Sequence, residues 1–256
     1  MKFTEVVVTL KKVDIVYILK NDISSEELKY SIRSVCENFP YRRIIFVGGC
    51  PKDLVPDVYI PHVQTGKTKW EKVRSSLLKI LNTSDLSEDF FLFNDDFYIL
   101  KKMRGDYVNF TSGTLDKRIR EIEVKFGRIT SYSRQLRSIE TFLRRKGKDT
   151  VSFAVHMPML LNKKMALDLL KQFPQIEMFR SFYGNFYQIP FVSHEDVKIY
   201  DLESEPVFDD FLSTTDESFR DGRVGEWIRQ RFPTPSKYEI VDPVFEEEDL
   251  DDEQSL

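Results

Sequence analysis

The sequence predicts an α/β fold with a mixed, mostly parallel sheet flanked by helices. Three observations carry that reading: a strand–helix–strand opening, helical periodicity in the segments that follow, and an apolar run at Phe90–Phe93 too short for a helix. Val13–Leu19 is apolar and β-branched, the pattern of a buried strand. Ser24-Ser25-Glu26-Glu27 supplies a serine cap and an acidic first turn. Leu28, Ile32, Val35 and Cys36 then recur at helical spacing to about Glu37, and Asn38-Phe39-Pro40 ends the helix. Arg43–Val47 is the second strand, stopped by Gly48-Gly49. An opening of this length suits a crossover between parallel strands.

Asp57–Ile60 reads as a short third strand, and Trp70–Leu81 as a helix with Val73, Leu77, Ile80 and Leu81 on one face. Phe90–Phe93 fits a central strand buried on both sides. Phe97–Leu100 stays extended beyond a polar interruption, so three βα-type repeats converge on a strand that ends in Asn94-Asp95-Asp96. Further on, the pattern predicts a basic helix at Tyr132–Lys146, a strand at Val151–Val155, and a helix at Asn162–Gln172 closed by Phe173-Pro174. A short helix, Val224–Arg231, precedes Phe232-Pro233-Thr234-Pro235. The expected organisation is one α/β domain over residues 1–241 and an acidic, disordered tail over 242–256.

Composition narrows the function classes. The formal net charge is −4, but Glu246, Glu247, Glu248, Asp249, Asp251, Asp252 and Glu253 outweigh it, so the rest of the chain is mildly basic. That permits an anionic ligand without requiring one. Cys36 and Cys50 form no CxxC pair, and no Cys/His cluster has zinc spacing, which suggests reduced thiols in a cytoplasmic protein. Met1–Lys12 lacks the apolar core of a signal peptide. No run approaches the roughly 20 apolar residues that span a bilayer. Gly66-Lys67-Thr68 has Pro61 where a phosphate loop needs glycine, which excludes that motif.

The sharpest chemical feature is Asn94-Asp95-Asp96, adjacent carboxylates after a buried strand and between aromatics. Charge in such a place is costly unless paired or metal-bound. Ligands of open α/β sheets bind outside the carboxyl ends of strands, and carboxylates there suit Mg²⁺ or Mn²⁺ with substrate phosphates. On spacing alone, an acidic turn that merely ends the strand is an equal reading. His156 follows the Val151–Val155 segment, where a histidine can move protons or bind phosphate; a lone histidine is more simply structural. Arg33, Arg180 and Lys72, with Lys67, Lys69 and Arg74 nearby, are candidates for phosphate contact or ordinary surface charges. The basic run Arg134, Arg137, Arg144, Arg145, Lys146 and Lys148 can face a polyanion, but no nucleic-acid motif accompanies it.

In order along the chain, four segments resemble the Stealth family of sugar-phosphate transferases. They are Val13–Tyr17 with Glu27-Leu28-Lys29-Tyr30-Ser31-Ile32-Arg33-Ser34-Val35, Phe91-Leu92-Phe93-Asn94-Asp95-Asp96-Phe97, His156-Met157-Pro158 with Phe173-Pro174 and Phe179-Arg180-Ser181, and Phe232-Pro233-Thr234-Pro235-Ser236-Lys237-Tyr238-Glu239. The resemblance implies a nucleotide-diphospho-sugar transferase fold of glycosyltransferase type A. It also implies a Mg²⁺ or Mn²⁺ ion and transfer of a sugar-1-phosphate from a nucleotide-sugar donor, UDP-linked by expectation, to a hydroxyl of a glycan or other polymer. By carry-over, Asp95 and Asp96 serve the metal, with Asp96 also in catalysis; His156 takes the proton or a phosphate; Arg33 and Arg180 meet phosphates. Asn94 and Lys72 complete the expected donor site. The chain departs from the pattern at Ile18-Leu19-Lys20-Asn21, around Lys69-Trp70-Glu71-Lys72, and at Thr214-Thr215-Asp216-Glu217. Those departures leave open transfer of the sugar alone, and also a non-catalytic sugar-binding module.

Overall fold

The computed structural model describes residues 8–9, 13–22, 26–103, 106–206 and 209–241. The acidic tail and the Ser24-Ser25 cap read from the sequence lie outside the described residues. Strand β1 (Val8–Thr9) precedes β2 (Asp14–Leu19), helix α1 (Glu26–Asn38) and β3 (Ile44–Gly48). Then come β4 (Val58–Pro61), α2 (Lys69–Leu81) and β5 (Asp89–Phe93). After the acid pair follow β6 (Phe97–Ile99), β7 (Asp106–Tyr107), β8 (Asn109–Thr111), α3 (Leu115–Phe126) and α4 (Ser131–Arg145). The remainder holds β9 (Met159–Asn162), α5 (Lys163–Gln172), α6 (Phe179–Tyr187), β10 (Phe191–Ser193), β11 (Lys198–Ile199), β12 (Phe211–Thr214), α7 (Asp216–Asp221) and α8 (Arg223–Arg231).

The main sheet has the order β4-β3-β2-β5-β9. Its first four strands are parallel and β9 is antiparallel, so the sheet is mixed and mostly parallel, as the sequence predicts. The link from β3 to β4 carries no helix, and the three expected βα repeats are two helical crossovers, α1 and α2. The residues of β5 alternate between two cores. Phe90 and Leu92 join Val16, Ile45, Leu77 and Ile80 on one face, while Phe91 and Phe93 join Ile15, Tyr17, Phe46 and Ile32 on the other. Each such side chain contributes about 1.5–3 kcal/mol on burial, which fixes β5 in the middle of the sheet. Thr68 starts α2 through a capping box with Glu71, so Gly66-Lys67-Thr68 is a helix entry.

The strand predicted at Val151–Val155 does not form. It makes one isolated bridge, Thr114 to Val151, and its backbone is otherwise claimed by side chains and loops. Val151 N–H donates to Asn185 Oδ1 at 2.9 Å, and Phe153 N–H to Ser181 Oγ at 3.1 Å. These α6 partners replace a sheet ladder, and the strand beside β5 is the downstream β9. Among the described residues, no helix is long and apolar enough to cross a membrane.

A second sheet, β11-β12-β6, begins where β5 ends. Helix α1 fastens it: Ser31 Oγ donates to Phe97 O at 2.6 Å, Ile99 N–H donates to Ser34 Oγ at 3.0 Å, and Asn38 Nδ2 donates to Ile99 O at 2.8 Å. The turn Asn94-Asp95-Asp96 is thus clamped between two sheets. On the other side of β2, Gly48 has φ 107°, and a Cβ there would sit 2.2 Å from Leu19 O. Gly48→Ala combines a disfavoured backbone angle with a backbone collision, and is expected to cost about 1–3 kcal/mol or more. Urea unfolding measures this; an unchanged midpoint would show that the ends of β2 and β3 are not held in this register.

Candidate active site at the sheet rim

Strands β2 and β5 are parallel neighbours at which the strand order reverses direction, the topological switch point of the sheet. Open α/β sheets bind ligands in the crevice at that point, beyond the carboxyl ends of the strands. Asn94, Asp95 and Asp96 leave β5 there. Asn94 is exposed, Asp95 half-buried and Asp96 buried.

The two oxygens of Asp96 have different fates. Oδ2 accepts from Lys198 Nζ at 2.6 Å and from Ser213 Oγ at 3.1 Å. Oδ1 is buried and has no hydrogen-bond partner. A buried, unpaired carboxylate oxygen carries a desolvation cost that a ligand can offset. Asp95 lies alongside: burial, with the charge of Asp96 second, pushes its carboxyl up to about 6. A third acid, Glu27, points in from the first turn of α1, where Thr214 Oγ1 and Tyr98 Oη donate to its Oε1. Burial, opposed by the Thr214 hydrogen bond and reinforced by Asp96 and Asp95, pushes Glu27 up to about 8. Burial first, and the repulsion among the acids after it, thus raise both groups. Among the described residues, no group of three or more His, Cys, Asp or Glu side chains is arranged to hold a metal. The donor set available is Asp95 with the free Oδ1 of Asp96. It fits a hard divalent ion that takes one or two carboxylates and fills its remaining positions with water and phosphate oxygens.

Arg180 ties this rim to the segment carrying His156. Its Nη1 donates to Met157 O at 2.8 Å and Val155 O at 3.4 Å, and its Nη2 to Leu92 O and Asn94 Oδ1, both at 3.4 Å. The guanidinium lies 5.3 Å from the centre of the Phe97 ring, and burial pushes it down to about 10. Arg180 thus braces the turn through backbone carbonyls. His156 in turn is gripped by Asp196, whose Oδ1 and Oδ2 lie 2.8 and 2.9 Å from Nδ1. A carboxylate at that distance places a proton on Nδ1 and leaves Nε2 as the acceptor of the neutral ring. Burial raises the Asp196 carboxyl, but the side-chain and backbone hydrogen bonds of His156, with the charges of His156 and Arg118, carry it below the usual carboxylate range.

The structure brings together Asn94, Asp95, Asp96 and Arg180; Arg180 reaches the backbone carbonyls on either side of His156 and not its side chain. It does not bring in Arg33 or Lys72. Arg33 forms a bidentate pair with Glu239 at 2.9 and 2.6 Å and also donates to Phe232 O and Pro233 O, anchoring the C-terminal segment on α1. Lys72 is exposed on α2. The ammonium of its neighbour Lys69, at the start of the helix, lies 4.2 Å from the centre of the Trp70 ring, and burial and the charge of Lys198 lower its pKa. Sequence reasoning missed Lys198, Asp196 and Glu27 as site residues. Glu27 sits inside a recognisable helix start, where the sequence shows only a first-turn acid. Lys198 and Asp196 lie in a stretch without periodicity or motif, where only the fold reveals their partners.

Comparison with solved structures agrees with this architecture. The galactosyltransferase LgtC, solved with donor and acceptor sugar analogs, is 11% identical, with a TM-score of 0.51 over 90% of this chain and 98% of its own. An active-site mutant of LgtC, also 11% identical, gives 0.49 over the same shares of the two chains. The glycosyltransferase GlyE of Streptococcus pneumoniae gives 0.37 at 11% identity over 72% of this chain and 45% of its own. At this identity the LgtC likeness shows the fold, that of a type A glycosyltransferase. No protein-family model matches the chain, and no curated protein matches it in sequence.

The acid-rich rim makes stability depend on pH. Asp95 and Glu27 have folded values above their ordinary ones, so the native state prefers their protonated forms. Their contribution is present at acid pH and is lost as pH rises through about 6 for Asp95 and about 8 for Glu27. In chelator, urea unfolding should show falling stability across that interval. Asp95→Asn should raise stability at the alkaline end by about 1–2 kcal/mol after solvent screening. A variant less stable than the wild type there would refute this electrostatic account.

Proposed function

We propose that the chain is a nucleotide-sugar-dependent transferase that uses Mg²⁺ or Mn²⁺ at Asp95 and Asp96. One observation carries the reading: an acid pair at the switch point of a type A glycosyltransferase fold, with a buried, unpartnered oxygen on Asp96. A divalent ion held there would supply positive charge to the donor's diphosphate, whether the bond to the sugar or the bond between the phosphates is the one that breaks. Lys198 and Lys69 add cationic charge beside the same rim. Asn94 is held by Arg180 at the mouth of the site. His156, oriented by Asp196, keeps Nε2 free to take the proton of an acceptor hydroxyl. The acceptor is a glycan or another hydroxyl-bearing polymer.

Two forms of the reaction follow from two observations. The ordered segments that resemble the Stealth family favour transfer of a sugar-1-phosphate. The likeness to LgtC, a galactosyltransferase solved with donor and acceptor sugar analogs, favours transfer of the sugar alone. The nucleotide released separates them: nucleoside monophosphate accompanies the first and diphosphate the second.

A panel of nucleotide sugars, tested by thermal shift with and without Mn²⁺, should yield at least one metal-dependent ligand. Asp95→Asn and Asp96→Asn should abolish that metal-dependent shift while remaining folded. His156→Ala should keep it and lower turnover by about 10²–10⁴-fold. Equal metal-dependent shifts in wild type and both acid variants would remove the site assignment.

A further inference from the structure

A second feature of the molecule lies away from the acid pair, on the far side of α6 from the segment that Arg180 braces. A cavity of about 220 Å³ opens between α4 and the connection from α5 to α6. Its apolar lining is Ile139, Phe142, Phe173, Ile176, Met178 and Phe182. The rings interlock edge to face: Phe142 and Phe173 lie 5.4 Å apart between centres, and Phe173 and Phe182 lie 5.0 Å apart. Gln135 and Glu177 also line the cavity, although one side-chain oxygen of each is shut off from solvent and has no hydrogen-bond partner. Burial, with the charge of Glu71 second, raises the Glu177 carboxyl.

The mouth of the cavity is basic. Ser138 and Phe142 line both the cavity and an adjoining surface depression whose other residues are Arg134, Arg137, Thr141 and Arg145. Arg137 is paired with Glu123 at 2.8 Å. Arg134 and Arg145 are exposed and, among the described residues, have no carboxylate partner. An apolar, aromatic-lined pocket with unpaired guanidinium groups at its edge has the polarity of an amphiphile. At about 220 Å³ it is smaller than the roughly 300–1,000 Å³ of drug-sized sites, so it takes a short stretch of one chain.

We propose that this cavity binds a single-chain lipid carrying a phosphate monoester. The first part of the chain packs against Phe142, Phe173 and Phe182. The phosphate meets Arg134 and Arg145, whose planar forks suit its oxygens. This site stands whether or not the acid pair serves a nucleotide sugar.

The test uses monododecanoyl glycerol phosphate below its micelle concentration, with binding followed by titration calorimetry on the full chain. Monododecanoyl glycerol, without the phosphate, and glycerol phosphate, without the chain, are the comparators. The complete lipid should bind, and each comparator should bind at least about 10-fold more weakly, the ratio expected from losing about 1.4 kcal/mol. The exposed double variant R134A/R145A should lose the preference for the phosphate while keeping residual binding of monododecanoyl glycerol. Ser138→Trp, which fills the shared mouth, should lose the chain-dependent part. Equal binding of the lipid with and without its phosphate would overturn the proposal, as would wild-type affinity in R134A/R145A. Glycerol phosphate binding as tightly as the lipid would reduce the feature to a surface anion patch and overturn it too.

Discussion

Strand β5 is buried on both faces, and most of the molecule follows from that constraint. A run of Phe90, Phe91, Leu92 and Phe93 cannot expose either side, so it needs one helical layer from α2, α4 and α5 and another from α1. Two cores on opposite faces of one strand fix its place beside β2 and hence the switch point at its end. The polar residues that follow have nowhere to go but the rim. The acid pair is therefore placed by the hydrophobic packing behind it, and Ser31, Ser34 and Asn38 of α1 hold the chain on its far side.

A rim built this way concentrates charge where water is scarce. Asp95, Asp96 and Glu27 converge, and the protein answers each differently. Glu27 is met by hydroxyls of Thr214 and Tyr98, Asp96 by an ammonium and a serine on one oxygen, and Asp95 by little beyond its own backbone. Isolated buried charges cost several kcal/mol in real proteins. The arrangement spreads that cost by hydrogen bonding some oxygens and leaving one bare. Arg180 carries out a mechanical task here, joining three carbonyls and an amide from two segments.

The elements with strong periodicity were legible in the sequence. The β2–α1–β3 opening, α2, β5, α4, α5 and α8 all fall within a few residues of their predicted limits. Asp95 and Asp96 were legible because two charges after four apolar residues break a pattern. Val151–Val155 misled because its composition suits a strand, whereas its hydrogen bonds go to Asn185 and Ser181 on a distant helix. Helix α6 was missed although Phe179, Phe182, Tyr183, Phe186 and Tyr187 recur at helical spacing, with Arg180, Ser181, Gly184 and Asn185 between them. Strands β11 and β12 are too short to carry a period, so Lys198 and the Asp196 partner of His156 emerged only from the folded chain. Arg33 was attached to the site by order along the sequence, but its helix face turns it toward Glu239.

Lys198 reaches Asp96 from β11, a strand of two residues paired with β12. Any free cation approaching that carboxylate therefore meets a tethered rival already in contact with it. The rival's effective concentration is set by the fold, so it does not change when the surrounding solution is diluted. That rival holds Oδ2 and leaves Oδ1 bare, so a cation drawn to Asp96 has one oxygen open to it without displacing the ammonium.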